Sequence, residues 1–275
     1  MQIGIHLPQY GRAATPDAVG RVAKHAEDLG FAHVWVSDHV IVPAAQDYPS
    51  PYLLDPLVTL TWAAATTSTV RLATSVIVAP QHHPLWLAKA YGSLDLLSGG
   101  RLTLGLGVGW SQAEYEALDR TFHDRGKRLD EIIEILRRSW TQDPTSFHGE
   151  AYDFGEMRVM PKPAHQIPLW IGGSSEAAYR RAVRLGDGFH AIGLDADSAA
   201  PLVARLRRDR PDASFEISAR TGWDPQGMDH DQIRREHAAW MEAGIGHVVS
   251  APWRSSADDW LRSMDQLATL TGISG

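Results

Sequence analysis

The chain has 275 residues, room for one large domain or two, and its 44% hydrophobic and 21% charged content is that of a globular enzyme. A formal net charge of −7 argues against nucleic acid as a partner, because a phosphate backbone demands a basic face. The absence of cysteine excludes disulfides, thiolate metal sites and a cysteine nucleophile, and no stretch approaches the roughly 20 apolar residues of a membrane span.

Ile3-Gly4-Ile5-His6-Leu7 reads as a first strand, stopped by Pro8. With no basic-then-apolar leader ahead of it, the chain is expected in the cytoplasm. Thr15-Pro16 opens a helix in which Val19, Val22, Ala23 and Ala26 recur at helical spacing, and Gly30 closes it. The second strand runs from His33 to Ser37, with a helix from Leu57 to Thr67 behind the Asp55-Pro56 start signal. Arg71 to Val78 is a third strand, Pro84 to Leu97 a helix, and Leu102 to Leu106 a fourth strand. Four strand–helix units in order predict a parallel sheet.

The rhythm then breaks. Gln112 to Leu118 reads as a short helix, Asp124 to Trp140 as a longer one, and Phe147 to Met160 as an extended or hairpin insertion. It resumes at Pro168 to Ile171. Further strands are expected over Gly188 to Ile192, Ser214 to Ala219 and Gly246 to Ser250, with helices over Ala196 to Arg208, Asp231 to Ala243 and Ala257 to Leu270. Eight strands alternating with helices predict an α/β fold, a closed (β/α)8 TIM barrel, as a single domain over 1–275 with an insertion after strand 4 at roughly 111–165. In such a barrel the strand exits converge on one face, which carries the chemistry.

Asp38-His39 is therefore the first candidate. A carboxylate and an imidazole where a buried strand ends are costly unless they have a role, although a helix cap or surface turn also accounts for an Asp there. A histidine such as His39 suits acid–base work, while Asp38 is positioned to orient that imidazole or to accept a hydrogen bond from a cofactor ring. Gly172-Gly173-Ser174-Ser175 leaves a strand and opens a helix, a favourable place for a phosphate or an ordinary capped turn. Gly105, Gly107 and Gly109 leave one strand face bare, either for something flat or for close packing, and Trp110 follows as a possible stacking wall.

The remaining polar residues have plainer readings. His82 and His83 are adjacent, so they point opposite ways and do not chelate one ion; no metal site is expected. Arg125 and Arg128 fall on one helix side and suit either an anion or salt bridges to Asp124 or Glu131. His25, His33, His123, His165, His230 and His237 read as surface or helix residues. Asp187 reads as turn chemistry. Trp223 and Trp253, just past strand ends, are either pocket wall or rim packing.

These pieces in this order resemble the luciferase-like monooxygenase superfamily, particularly its coenzyme F420 (deazaflavin)-dependent oxidoreductase branch. The resemblance spans nearly the whole chain. It rests on Val36-Ser37-Asp38-His39, Thr74-Ser75-Val76-Ile77, Leu94 through Arg101, Leu104 through Trp110, Arg125-x-x-Arg128 with Glu131, and Ile171-Gly172-Gly173-Ser174. It implies a non-proline cis peptide at Ser75-Val76 backing the central flavin ring, and Asp38 bonded to the deazaflavin. It implies His39 as proton donor or acceptor beside the hydride-transfer carbon, and Gly172, Gly173 and Ser174 at the cofactor phosphate. Gly107 and Trp110 complete the expected cofactor site. Trp110 stands where related dehydrogenases carry a catalytic glutamate, so a sugar-phosphate dehydrogenase reaction is not expected. Arg101 reads as structural.

The function so implied is hydride transfer between F420 and a small organic substrate. An FMN-dependent monooxygenase using NAD(P)H-derived reduced flavin and oxygen is the alternative, and a non-catalytic flavin-binding protein a second one. Protein groups bind and tune either ring. A homodimer is implied by the resemblance; neither nucleic acid nor membrane is an expected partner.

Overall fold

The computed structural model describes residues 1–46 and 49–273. Its barrel strands are β1 (Gln2–His6), β2 (His33–Val36), β3 (Arg71–Thr74) with β4 (Ile77–Val78), and β5 (Leu102–Gly107). After an antiparallel hairpin, β6 (Thr145–His148) with β7 (Asp153–Met157), come β8 (Leu169–Gly173), β9 (Gly188–Ile192), β10 (Glu216–Thr221) and β11 (His247–Ser250). All barrel pairings are parallel, in the order β3-β2-β1-β11-β10-β9-β8-β5-β4. The ring closes because β3 also pairs with β5, Leu72 opposite Leu102 and Ala73 opposite Thr103. β3 and β4 are one barrel strand, interrupted at Ser75-Val76, whose peptide bond is cis. The fold is the closed (β/α)8 barrel that the alternating pattern predicts.

The surrounding helices are α1 (Pro16–Leu29), α2 (Pro56–Thr66), α3 (Pro84–Ser98), α6 (Glu176–Leu185), α7 (Ala196–Asp209), α8 (His230–Ala243) and α9 (Ala257–Thr271). Between β5 and β8 lie α4 (Gln112–Ala117), α5 (Arg125–Thr141) and the β6–β7 hairpin. Helix starts follow local chemistry: Thr15, Asp55, Ser111, Ser175, Asp195, Asp229 and Ser256 each accept a backbone N–H with the side chain, a cap worth about 1 kcal/mol. Gly30 ends α1 at φ 86°, a left-handed conformation that glycine adopts without penalty. Arg101, expected to be structural, is buried and donates to the carbonyls of Ala64, Thr67, Val70 and Ser98. Asp187 likewise serves a turn, accepting from Leu169 N and Arg137.

Strand alternation divides the residues into two sets. Ile3, Ile5, Val34, Val36, Leu72, Leu104, Ile171, Phe189, Ile217 and Val248 belong to the main apolar core shared with the helices. The alternate positions face the barrel interior, where Trp35, Ala73, Trp170 and Val249 form a separate small cluster. Large and small residues interlock there: a Cβ on Gly4 would lie 2.3 Å from Trp35 Nε1, and one on Gly188 would lie 2.8 Å from Trp170 Cδ1. His33, expected at the surface, is buried in this interior against Trp35, Trp170 and His247.

Candidate active site

Toward the carboxyl ends of the strands the interior turns polar. His6 Nδ1 donates to the Leu7 carbonyl, and its Nε2 lies 2.9 Å from Ser37 Oγ. Ser37 Oγ donates to Ser75 O at 3.0 Å, and Ser75 Oγ meets His190 Nε2 at 2.8 Å. His190 Nδ1 reaches Ser218 Oγ at 2.9 Å. Arg220, at the end of β10, donates from Nη1 to both Ser37 Oγ (3.1 Å) and Ser75 O (3.0 Å). Burial first, and the nearby Arg220 cation second, push the pKa values of His6 and His190 down to about 3, so both rings are neutral at pH 7.

Above this layer opens a cavity of about 470 Å³. Its wall contains the residues expected at the catalytic and cofactor site: Asp38, His39, Ser75, Val76, Gly107, Trp110, Gly172, Gly173 and Ser174. Tyr10, Arg125, Ser175 and Arg220 also line it.

Asp38 does not orient His39, contrary to one reading of the pair. Its Oδ2 accepts from Val78 N at 2.9 Å and from His82 Nε2 at 2.7 Å. Burial disfavours the charged imidazole of His82, but the Asp38 carboxylate outweighs it and raises the His82 pKa. The neighbouring His83 instead accepts Leu85 N at the start of α3, so the two histidines serve unrelated partners.

His39 is held by Glu114 of α4, a buried carboxylate that sequence reasoning missed. Glu114 Oε2 lies 3.2 Å from His39 Nδ1, and Oε1 accepts Val40 N at 2.8 Å. Burial works to raise the Glu114 pKa, but these donors, His39 foremost, bring it below the ordinary carboxylate value. A carboxylate only accepts, so Nδ1 of His39 carries the proton and Nε2 is the nitrogen left for the cavity. The Trp110 ring stands edge-on to that imidazole, 5.8 Å between centroids, and is half exposed.

The alternating glycines prove to accommodate the chain itself. A Cβ on Gly107 would lie 2.6 Å from Val76 Cγ2, one on Gly172 would lie 2.4 Å from Val76 Cγ1, and one on Gly105 would lie 2.0 Å from Thr74 O. The bare strand face receives the Ser75-Val76 bulge, not a flat ligand directly.

At the other end of the cavity, Gly173, Ser174 and Ser175 lead into α6, and the Ser175 hydroxyl accepts Ala178 N. Arg125, the first residue of α5, lines the same cavity. Its guanidinium lies 3.7 Å from the Phe122 ring centroid and donates from Nη1 to Phe122 O, while its Nε is buried with no hydrogen-bond partner. Arg128 takes a separate course to Asp124, at 2.8 Å. A guanidinium without an ion-pair partner and a helix N-terminus lining one cavity fit a phosphate group.

Trp223 does not line the cavity: it is fully buried and donates to Glu236 at 2.7 Å. Trp253 is exposed, packs edge-on to Tyr10 at 5.1 Å and lies under Arg220 at 5.3 Å. A second cavity, about 450 Å³, opens at the opposite mouth of the barrel. Its charged groups are paired among themselves or with nearby residues: Arg71 with Thr103, His247 with Glu216, Asp187 with Arg137. That mouth is the face that stabilises such barrels, not the one that carries their chemistry.

The model of the luciferase-like monooxygenase family matches residues 1–267. The chain belongs to this family. Within reach of it is an F420-dependent glucose-6-phosphate dehydrogenase of Amycolatopsis mediterranei, 32% identical over 265 residues, which span 89% of this chain and 75% of that protein. Among solved structures, the monooxygenase RslO1 from Streptomyces bottropensis superposes with a TM-score of 0.85 at 22% identity, over 98% of each chain. An F420-dependent secondary alcohol dehydrogenase superposes with a TM-score of 0.80 at 18% identity, also over 98% of each chain. These two likenesses are of fold. Family members of this kind are oxidoreductases and monooxygenases built on the same barrel.

Proposed function

We propose that the protein is an oxidoreductase that transfers hydride between coenzyme F420 and a small organic substrate. The observation that carries this reading is one cavity lined by Asp38, which is bonded to His82, by His39, which is held by Glu114, and by Arg125 together with the Gly173-Ser174-Ser175 start of α6. One end is built to move protons, the other to hold a phosphate. A relative that is F420-dependent at 32% identity supports deazaflavin over FMN.

In this reading, Arg125, Ser174 and the backbone at Gly172 and Gly173 hold the cofactor phosphate. The Ser75-Val76 bulge supports the ring, with Gly107 making room for Val76 and Trp110 flanking the ring. Asp38 Oδ1, the oxygen free of Val78 and His82, accepts a hydrogen bond from the ring. When bound, the deazaflavin supplies a hydride donor or acceptor and reacts poorly with oxygen. His39 holds or removes the substrate proton at Nε2. Trp110 in place of an acidic residue supports a substrate other than a sugar phosphate.

The same phosphate end suits FMN, so an FMN-dependent monooxygenase is the second reading. Reoxidation assays separate the two. Reduced F420 mixed with the protein and a panel of carbonyl and unsaturated compounds, without oxygen, is expected to be reoxidised in a substrate-dependent manner. Turnover only with reduced FMN and oxygen would replace the first reading by the second, and no turnover with either cofactor would leave a flavin-binding protein. A homodimer is part of the proposal, supported by Val58 and Trp62 exposed on α2 and Trp86 and Leu97 on α3. Among the described residues no helix is long and apolar enough to cross a membrane.

A further inference from the structure

The cavity is lined by two guanidinium groups, Arg125 and Arg220, that form no ion pair with any carboxylate among the described residues, whereas Asp38 in its wall and Glu114 behind His39 each have a histidine. Arg125 belongs to the phosphate end. Arg220 does not: it rises from β10, two strands from β8 in the barrel order, beside Tyr10 after β1 and Trp253 after β11. The Trp253 ring lies under it, but no carboxylate among the described residues pairs with it. His6 and His190 are neutral, and Ser37 Oγ and Ser75 O engage only Nη1 of its three nitrogens. The cation is part-buried, and the two Nη1 bonds hold it in that place without a counter-ion. In a chain of net charge −7 this local positive charge is not a product of overall composition.

We propose that Arg220 binds the carboxylate, or an equivalent delocalised oxyanion, of the substrate, making the substrate a small organic acid whose body lies against Tyr10 and Trp253. The inference rests on the oxidoreductase reading for the word substrate, but not for the binding itself. A planar fork of N–H donors matches a carboxylate in geometry as well as charge. The position also explains the coupling to the ring support: the Nη1 that fixes Arg220 is bonded to Ser75 O, so anion and bulge share one anchor.

The test uses benzoate and its neutral isostere benzamide, titrated into the full-length protein by calorimetry, with Arg220→Gln and Arg220→Lys alongside. Benzoate is expected to bind the unaltered protein in preference to benzamide, with an affinity that falls as salt is added. Arg220→Gln is expected to lose about 10- to 100-fold in benzoate affinity and little in benzamide affinity, and Arg220→Lys to fall between, because charge is kept and the fork is lost. If Arg220→Gln unfolds, the benzoate–benzamide difference, its salt dependence and the Arg220→Lys variant still decide the matter. Equal binding of the two probes to the unaltered protein, or equal benzoate affinity in Arg220→Gln, overturns the proposal. So does an Arg220→Gln effect confined to the affinity for reduced F420, which would assign the anion to the cofactor. F420 binding by fluorescence in the same samples keeps the two questions apart. Binding of F420 without carboxylate preference sinks this inference alone, and carboxylate preference without F420 binding sinks the cofactor reading alone.

Discussion

Glu114 decides which nitrogen of His39 faces the cavity. With Oε2 at 3.2 Å from Nδ1, it fixes the tautomer and stabilises the imidazolium that forms when Nε2 takes a proton. Glu114→Gln keeps the shape and removes the charge. Turnover with F420 is expected to fall about 10- to 100-fold, while F420 affinity changes little. Unchanged turnover in Glu114→Gln would show that the contact does not hold the ring for its role. Asp38 and His39 were legible because they follow an apolar strand. Glu114 was not, because Ser111-x-x-Glu114 reads as a helix capping box. Ser111 does cap α4, but the Glu114 carboxylate turns instead to β2's exit, 75 residues back in the chain. His82 was read only as one of two adjacent histidines that do not chelate a metal; the fold brings it to Asp38, 44 residues back in the chain.

The elements that matter most are β3–β4, β5 and β8, because the Ser75-Val76 bulge lies against the glycines of the other two. Alternating glycines were legible in sequence; the side chain that fills their space was not, since it comes from a strand read as continuous from Arg71 to Val78. Gly172→Ala places a Cβ 2.4 Å from Val76 Cγ1 and is expected to weaken F420 binding about 10-fold or more by displacing the bulge. Val76→Ala frees that space, so the double variant is expected to recover part of the loss. Strictly additive losses would mean that the two residues do not meet. Element boundaries had a similar consequence at β10: a strand ending at Ala219 leaves Arg220 outside, whereas the observed strand runs to Thr221 and turns Arg220 into the mouth.

Across the whole molecule, the period of strand and helix was enough to specify the barrel, because each outward strand face must be covered by a helix. The interior was less legible. Outward Ile, Val and Leu dominate the strand sequences and hide the alternate positions, where the fold collects His6, Ser37, Ser75, His190, Ser218 and Arg220 into one hydrogen-bonded layer. That layer carries a pH dependence. His6 and His190 fall from an ordinary 6.5 to about 3, so between these values the unfolded chain takes up protons that the folded one does not. Their contribution is complete above pH 6.5 and is lost as pH falls, at about 1.4 kcal/mol per pH unit for each ring. Urea midpoints are expected to decline from neutral pH toward pH 5, and less steeply in His190→Asn than in the unaltered protein. Stability independent of pH over that range would contradict the neutral assignment.

The central proposal is that the cavity is a deazaflavin site. Parallel fluorescence titrations of the protein with F420 and with FMN test it most directly. The account predicts tight, saturable binding of F420 at one site per chain, weaker binding of FMN, and loss of most F420 affinity in Arg125→Gln. Preferential binding of FMN, or F420 affinity indifferent to Arg125, would contradict it.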